Sequence, residues 1–208
     1  MTLPSTLSHK TEWVLLGPMG PALPQSLSGL PLMGVDGGAH FAGRMDLWVG
    51  DADSFDGEVN SSHLFRHPTG KDESDLALAL RFFDGPCHYK LHLWGFLGGR
   101  KDHELFNLGE VLRFLDKHQE CQALFYNEFG KIVFHAVGSG HWKFSHDGTF
   151  SLGTLKKTEV KLIGDCQFPI SSFSTLEPLS SLGLSNRGHG EIILETEGPV
   201  FICFPEEE

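Results

Sequence analysis

The sequence predicts two parts of different class, an α/β half built on a parallel sheet and then an all-β half folded as a small sandwich. Three observations carry this. Over the first two-thirds, short apolar runs alternate with helix-period patterns, as parallel strands joined by crossovers require. From about residue 130 no helix-length pattern follows, and short runs alternating with period two take over. Gly, Asn, Asp and Pro turns separate those runs, which is the pattern of a β unit. The boundary falls near 125–135, and 208 residues at 40% hydrophobic suffice for one large unit or two small ones.

Element by element, "EWVLLG" (12–17) reads as a buried strand. "LPLMGVDGG" (30–38) reads as a second that ends in a glycine turn, and "MDLWVGD" (45–51) as a third. Four prolines in "GPMGPALPQSLSGLP" (17–31) keep any helix there short. "ESDLALALRFFDG" (73–85) predicts a helix with Ser74 or Asp72 as N-cap and Gly85 at its stop. "YKLHLWGFLGG" (89–99) is a fourth strand. "DHELFNLGEVLRFLDKHQ" (102–119) is a helix with Leu105, Leu108, Leu112 and Leu115 on one stripe. "CQALFYN" (121–127) is a further strand, and "KIVFHAV", "HWKFSH", "TFSLGTL", "EVKLIG", "EIILETE" and "PVFICF" supply the β half.

A formal charge of −11 argues against a nucleic-acid surface, which needs a basic face. Cys87, Cys121, Cys166 and Cys203 form no C-x-x-C pair and read as reduced thiols. No run reaches the length of a membrane span, and "MTLPSTLSHKTEW" holds no apolar stretch of signal-peptide length. A cytoplasmic protein is expected.

In an open parallel sheet, ligands gather beyond the carboxyl ends of the strands. After the second predicted strand stand Asp36, Gly37 and Gly38, and after the third Gly50, Asp51, Ala52, Asp53 and Ser54. "TGKDESD" (69–75) brings Lys71, Asp72 and Asp75 to a helix start, and "GGRKDH" (98–103) brings Gly98, Gly99, Arg100, Asp102 and His103. Clustered hard oxygens suit Mg²⁺, which binds through one or two carboxylates plus substrate phosphates. Glycine turns let backbone N–H groups approach phosphate oxygens, and Arg100 offers them a planar fork. This is the chemistry of phosphoryl-type transfer, without the G-x-x-x-x-G-K-[ST] loop of a P-loop enzyme. Each motif alone has a structural reading too. Aspartates favour turns and caps, Gly37-Gly38 suits any tight turn, and Arg100 pairs readily with Asp102 on a solvated loop. The histidines, His63, His67, His88 and His92 among them, read as surface or satisfied residues.

The four motifs in order resemble those of the thiamine pyrophosphokinase family: "DGGA", "GDxDS", "KDxTD" and "GGRxDH". Here they stand as Asp36-Gly37-Gly38-Ala39, Gly50-Asp51-Ala52-Asp53-Ser54, Lys71-Asp72-Glu73-Ser74-Asp75 and Gly98-Gly99-Arg100-Lys101-Asp102-His103. "GDCQFPI" (164–170) and "SLGLSN" (181–186) resemble the family's β-domain segments. The resemblance implies pyrophosphoryl transfer from ATP to the thiamine hydroxyl, giving thiamine diphosphate and AMP. It implies a Rossmann-like ATP-binding catalytic domain over 1–128, a thiamine-binding β-sandwich over 129–208, and a homodimer. By position, Asp51, Asp53 and Asp75 would hold Mg²⁺. Asp36, Gly37, Gly38, Lys71, Asp72, Gly99 and Arg100 would meet the metal–ATP side, and Asp102 the thiamine hydroxyl. Ser185, Asn186 and His103 would line the vitamin's pocket. Two alternatives remain at this stage: a pyrophosphokinase for another acceptor such as a hydroxymethyl-pterin, and a non-catalytic nucleotide- or thiamine-binding protein on the same fold. The chain departs from the family in three places. The step from Asp36 to Asp51 is about one helical turn short, Met45-Asp46 replaces Pro-Asp, and Phe201 and Phe204 stand where some members carry a tryptophan.

Overall fold

The structure, a computed structural model, describes residues 1–20, 22–41, 43–51, 59–68, 72–85 and 88–205. The chain divides into two compact units, Met1–Val111 with Ala123–Lys131, and Leu112–Gln122 with Ile132–Glu208.

The first unit carries β1 (Glu12–Leu16), β2 (Leu32–Val35), β3 (Leu47–Gly50), β4 (Leu64–Arg66), β5 (Lys90–Trp94) and β6 (Gln122–Tyr126), in the spatial order β6-β5-β1-β2-β3-β4. β1 pairs parallel with β2 and β5, β2 with β3, and β3 with β4. Trp13 to Leu16 are all buried, because a central parallel strand is covered on both faces. α1 (Asp75–Leu80) is capped by Ser74, whose Oγ accepts from the Ala77 N–H at 3.1 Å. Its Leu76, Leu78, Ala79 and Leu80 are buried. A 3-10 turn over Arg81–Phe83 then sets the Phe83 ring edge-on against Trp13 and Tyr89, at 5.6 and 5.0 Å. α2 (Lys101–Lys117) buries Leu108, Leu112 and Leu115 but leaves Leu105 54% exposed. The buried stripe therefore begins one turn later than predicted, at Leu108.

The expected Rossmann-like α/β domain is not what the chain builds. Among the described residues, strand residues outnumber helical residues about two to one. The connections β1–β2 and β2–β3 hold short 3-10 turns, Gln25–Leu27 and Asp36–Phe41, where a doubly wound sheet has α-helices. Pro18, Pro24 and Pro31 prevent a helix in the first connection, and Gly37, Gly38 and Gly43 disfavour one in the second. Among the described residues only α1 and α2 are α-helical.

The second unit carries β7 (Ile132–Val137), β8 (Gly140–Gly153), β9 (Thr158–Cys166), β10 (Ile170–Leu176), β11 (Asn186–Thr196) and β12 (Val200–Cys203). Its antiparallel neighbours run β10-β9-β11-β8-β12-β7 within a single sheet, not the two stacked sheets of the predicted sandwich. The reason is β8. Residues 140–150 pair with β11, and 151–153 with β12, so one long strand keeps both ladders continuous. Val137, Phe150, Leu162, Leu176, Leu194 and Ile202, one from each strand, share one buried cluster. A flat sheet could not gather them, so the sheet curves around its own core.

Within the first unit, His92 is satisfied, as the sequence reading expected. Its ring lies 3% exposed between Tyr126 Oη at 2.7 Å and Glu12 Oε1 at 2.9 Å, and Lys90 Nζ holds the same Glu12 oxygen at 2.8 Å. Burial pushes the His92 imidazole below its ordinary 6.5 although Glu12 opposes this. Burial and the Glu12 charge push the Tyr126 phenol up to about 12. Hydrogen bonds from Lys90 and then His92 lower Glu12 from its ordinary 4.5. Both His92 and Glu12 therefore bind protons more readily in the unfolded chain. Stability from His92 is complete above 6.5 and is lost as pH falls below it; that from Glu12 is present above 4.5 and lost below. We expect urea midpoints to stay level from pH 8 to 7 and then fall in these two steps. A midpoint that rises on acidification would contradict the arrangement.

Candidate active site

Leu16 is level with Gly34 and with Trp94, and Gly34 with Trp48. The residues just beyond the strands, Gly17, Asp36, Asp51 and Gly95, therefore share the carboxyl edge of the parallel ladder. Close approach explains the glycines. A Cβ on Gly38 would lie 1.8 Å from the Leu16 carbonyl oxygen, and one on Gly17 2.5 Å from that of Gly95. Asp36 follows β2 with φ 48°, a left-handed conformation uncommon for a side-chain-bearing residue. Its Oδ1 is enclosed. Asp51 is half-buried directly after β3. Asp75, also half-buried, opens α1, which packs on β2 and β3. Asp72 lies exposed before it. Asp53 and Lys71 fall outside the described residues.

The "GGRKDH" turn follows β5. Gly98 and Gly99 take φ 87° and 88°, left-handed values that glycine adopts without steric cost. The Gly98 N–H donates to Glu104 Oε1 at 2.7 Å, closing the turn onto α2. Arg100 donates from Nε to Asp102 Oδ1 at 3.1 Å and from Nη2 to Oδ2, with both side chains largely in solvent. Asp102 Oδ1 also accepts the His103 N–H at 3.0 Å. The Arg100 hydrogen bonds, helped by that of His103, hold the Asp102 carboxyl down at about 2. The structure thus joins Arg100 to Asp102 in the solvated pair that was one structural reading of the motif. His103 itself is exposed.

In the second unit, Ser185 is exposed with φ 55°, and its N–H donates to Ser151 Oγ at 3.0 Å. Asn186 is only 5% exposed. Its Oδ1 accepts from the Phe168 and Arg187 N–H groups at 3.0 and 2.8 Å, and its Nδ2 donates to the Phe168 carbonyl at 2.7 Å. In this state the amide fixes the chain at Phe168, whose ring is left 58% exposed.

Sequence reasoning gave no role to two residues at the edge, Trp48 and His67, and read His67 as a surface or satisfied residue, which its surroundings contradict. His67 follows β4 and donates its N–H to the Gly50 carbonyl at 2.9 Å. Its Nε2 is enclosed and has no hydrogen-bond partner among the described residues. Trp48 donates from Nε1 to the Asp36 carbonyl at 2.9 Å. Neither carries a sequence signal, since β4 is a three-residue strand and Trp48 reads simply as core.

Asp36, Asp51 and Asp75 offer hard oxygen donors. Among the described residues no three acidic, histidine or cysteine side chains are grouped to hold a metal alone. No described helix is long and apolar enough to cross a membrane.

Solved proteins share this fold. The thiamine pyrophosphokinase of Bacillus subtilis is 20% identical, with TM-score 0.70 over 95% of this chain and 100% of that one. The thiamin pyrophosphokinase of Geobacillus thermodenitrificans is 17% identical, with TM-score 0.68 over 95% and 97%. That of Candida albicans is 14% identical, with TM-score 0.67 over 93% and 88%. No curated protein matches the chain. Residues 31–124 match the family model described as thiamin pyrophosphokinase, catalytic domain, a segment that holds all four motifs. The chain is thus similar to thiamin pyrophosphokinases in fold and, over residues 31–124, to the model of their catalytic domain.

Proposed function

We propose that the protein is a thiamine pyrophosphokinase, transferring a pyrophosphoryl group from ATP to the thiamine hydroxyl and releasing AMP. The observation that carries this is the set of four motifs, in order, inside the segment that matches the catalytic-domain model; Asp36, Asp51 and the "GGRKDH" turn follow β2, β3 and β5 of the parallel sheet. Asp51, Asp53 and Asp75 would hold Mg²⁺, with Asp36 beside them. The ion, when bound, neutralises charge on the transferring phosphates. Gly37, Gly38, Lys71, Asp72, Gly99 and Arg100 face the nucleotide phosphates. Asp102 accepts a hydrogen bond from the thiamine hydroxyl and takes its proton as the oxygen attacks the β-phosphorus.

The resting Arg100–Asp102 pair gives this a sequence of events. Exposed pairs are weak, so a polyphosphate draws Arg100 away at little cost. Asp102, relieved of its guanidinium partner, becomes a stronger base. Ser185 and His103 line the vitamin's pocket, and Asn186 contributes by fixing Phe168. The first unit is the ATP-binding catalytic part and the second the thiamine-binding part. The working form is a homodimer in the cytoplasm. Exposed Leu179, Leu182 and Leu184 on the second unit support association, which light scattering tests directly.

The deciding assay is ATP- and Mg²⁺-dependent AMP release with thiamine or a hydroxymethyl-pterin as acceptor. We expect release with thiamine and its loss on chelation. Release with the pterin alone would move the protein to the other acceptor. Nucleotide binding without turnover would make it a binder.

A further inference from the structure

We infer that Trp48 is a positioning residue for Asp36: its indole N–H pins the left-handed turn that carries this carboxylate at the strand edge. The inference rests on the reading that Asp36 serves the magnesium–ATP side.

Trp48 is fully buried at the middle of β3, and the residues around its ring are made small. A Cβ on Gly34, its partner across β2, would lie 3.0 Å from the indole Cδ1. A Cβ on Gly50, two residues on and on the same face, would lie 2.7 Å from Cζ2. The two glycines leave a trough along the sheet, and the indole fills it. At the forward end, Nε1 meets the Asp36 carbonyl oxygen at 2.9 Å. A Cβ on Gly50 would also come within 2.9 Å of Asp36 Cα, so the ring, the glycine and the turn are one packed unit.

A buried indole N–H needs an acceptor, and an aspartate at φ 48° needs an outside restraint to stay there. The single bond meets both needs. Leucine or valine would fill core at position 48 but could not reach Asp36 with a donor.

Trp48→Phe keeps an aromatic ring and deletes the donor. We expect the dissociation constant for magnesium with a non-hydrolysable ATP analogue, measured by calorimetry, to rise about tenfold, with thiamine binding unchanged. The decisive arm is a double-mutant cycle. In an Asp36→Asn background the same Phe substitution should cost little further. Fully additive losses, or unchanged nucleotide affinity in Trp48→Phe, overturn the inference. If Trp48→Phe does not fold, Trp48→Tyr keeps a ring without the indole donor and is read by the same nucleotide-specific assay. Because the cycle reads binding, it is separable from the activity. Loss of the functional reading appears as nucleotide binding without thiamine-dependent AMP release, whereas a wild-type chain that binds no nucleotide overturns both.

Discussion

Asp102→Asn is expected to lower thiamine-dependent AMP release about 10²- to 10⁴-fold, the usual contribution of one positioned general base. The melting temperature should barely move. Asp102 stands on an exposed turn and bonds only to Arg100 and the His103 N–H among the contacts described, so nothing in the core depends on its charge. Asparagine keeps the shape and an acceptor oxygen, which leaves the backbone contact intact. Its amide cannot take a proton from the hydroxyl. The pH dependence adds a second reading. With its carboxyl held at about 2 by Arg100, Asp102 in the free enzyme stays ionised throughout the working range. The profile of kcat/KM should therefore show no acid limb between pH 5 and 7 from this group. A limb there that vanishes in Asp102→Asn would contradict the resting pair. A variant with wild-type turnover would remove Asp102 from the chemistry.

Gly38→Ala is expected to cost about 3 kcal/mol or more of stability, at or beyond the usual limit of overpacking. The new methyl carbon would lie 1.8 Å from the Leu16 carbonyl oxygen and 2.6 Å from its carbon. Both are backbone atoms of β1, buried from Trp13 to Leu16, so no rotamer change relieves the clash. Either β1 shifts or the turn after β2 opens, and each outcome moves Asp36. Activity should fall together with the urea midpoint, unlike Asp102→Asn, where activity falls alone. Gly43→Ala is the control, since a Cβ there meets nothing within 4 Å. A Gly38→Ala chain as stable as wild type would mean that the turn does not sit on β1 as described.

The parts of this protein legible from sequence are those where one residue type alone meets a local demand. Gly38 and Gly98 could be placed because a close approach and a left-handed turn exclude other side chains. Ser74 could be offered as a cap because its hydroxyl is the right length to reach Ala77. The helical crossovers failed for the opposite reason. Alternation of apolar runs suggested them; in the first connection the prolines had already marked any helix as short, and only a 3-10 turn forms there, while the second, rich in glycine, also holds only a 3-10 turn. β4 is strand because β3 lies beside it; "LFR" has no pattern of its own. The commitment of Asn186 to Phe168 is equally silent, since the partner is 18 residues away and the amide looks free to meet a ligand. Stacked sheets were expected from alternating runs, yet alternation marks only which face is covered and says nothing of how many sheets share the cover.

β8 gives the second unit a particular mechanical character. A peeling force on β12 falls on residues 151–153 and passes along one continuous strand into residues 140–150, which anchor β11, so the load is handed on instead of opening a seam. Thermal fraying has no natural tear line there, and the unit should come apart all at once or not at all.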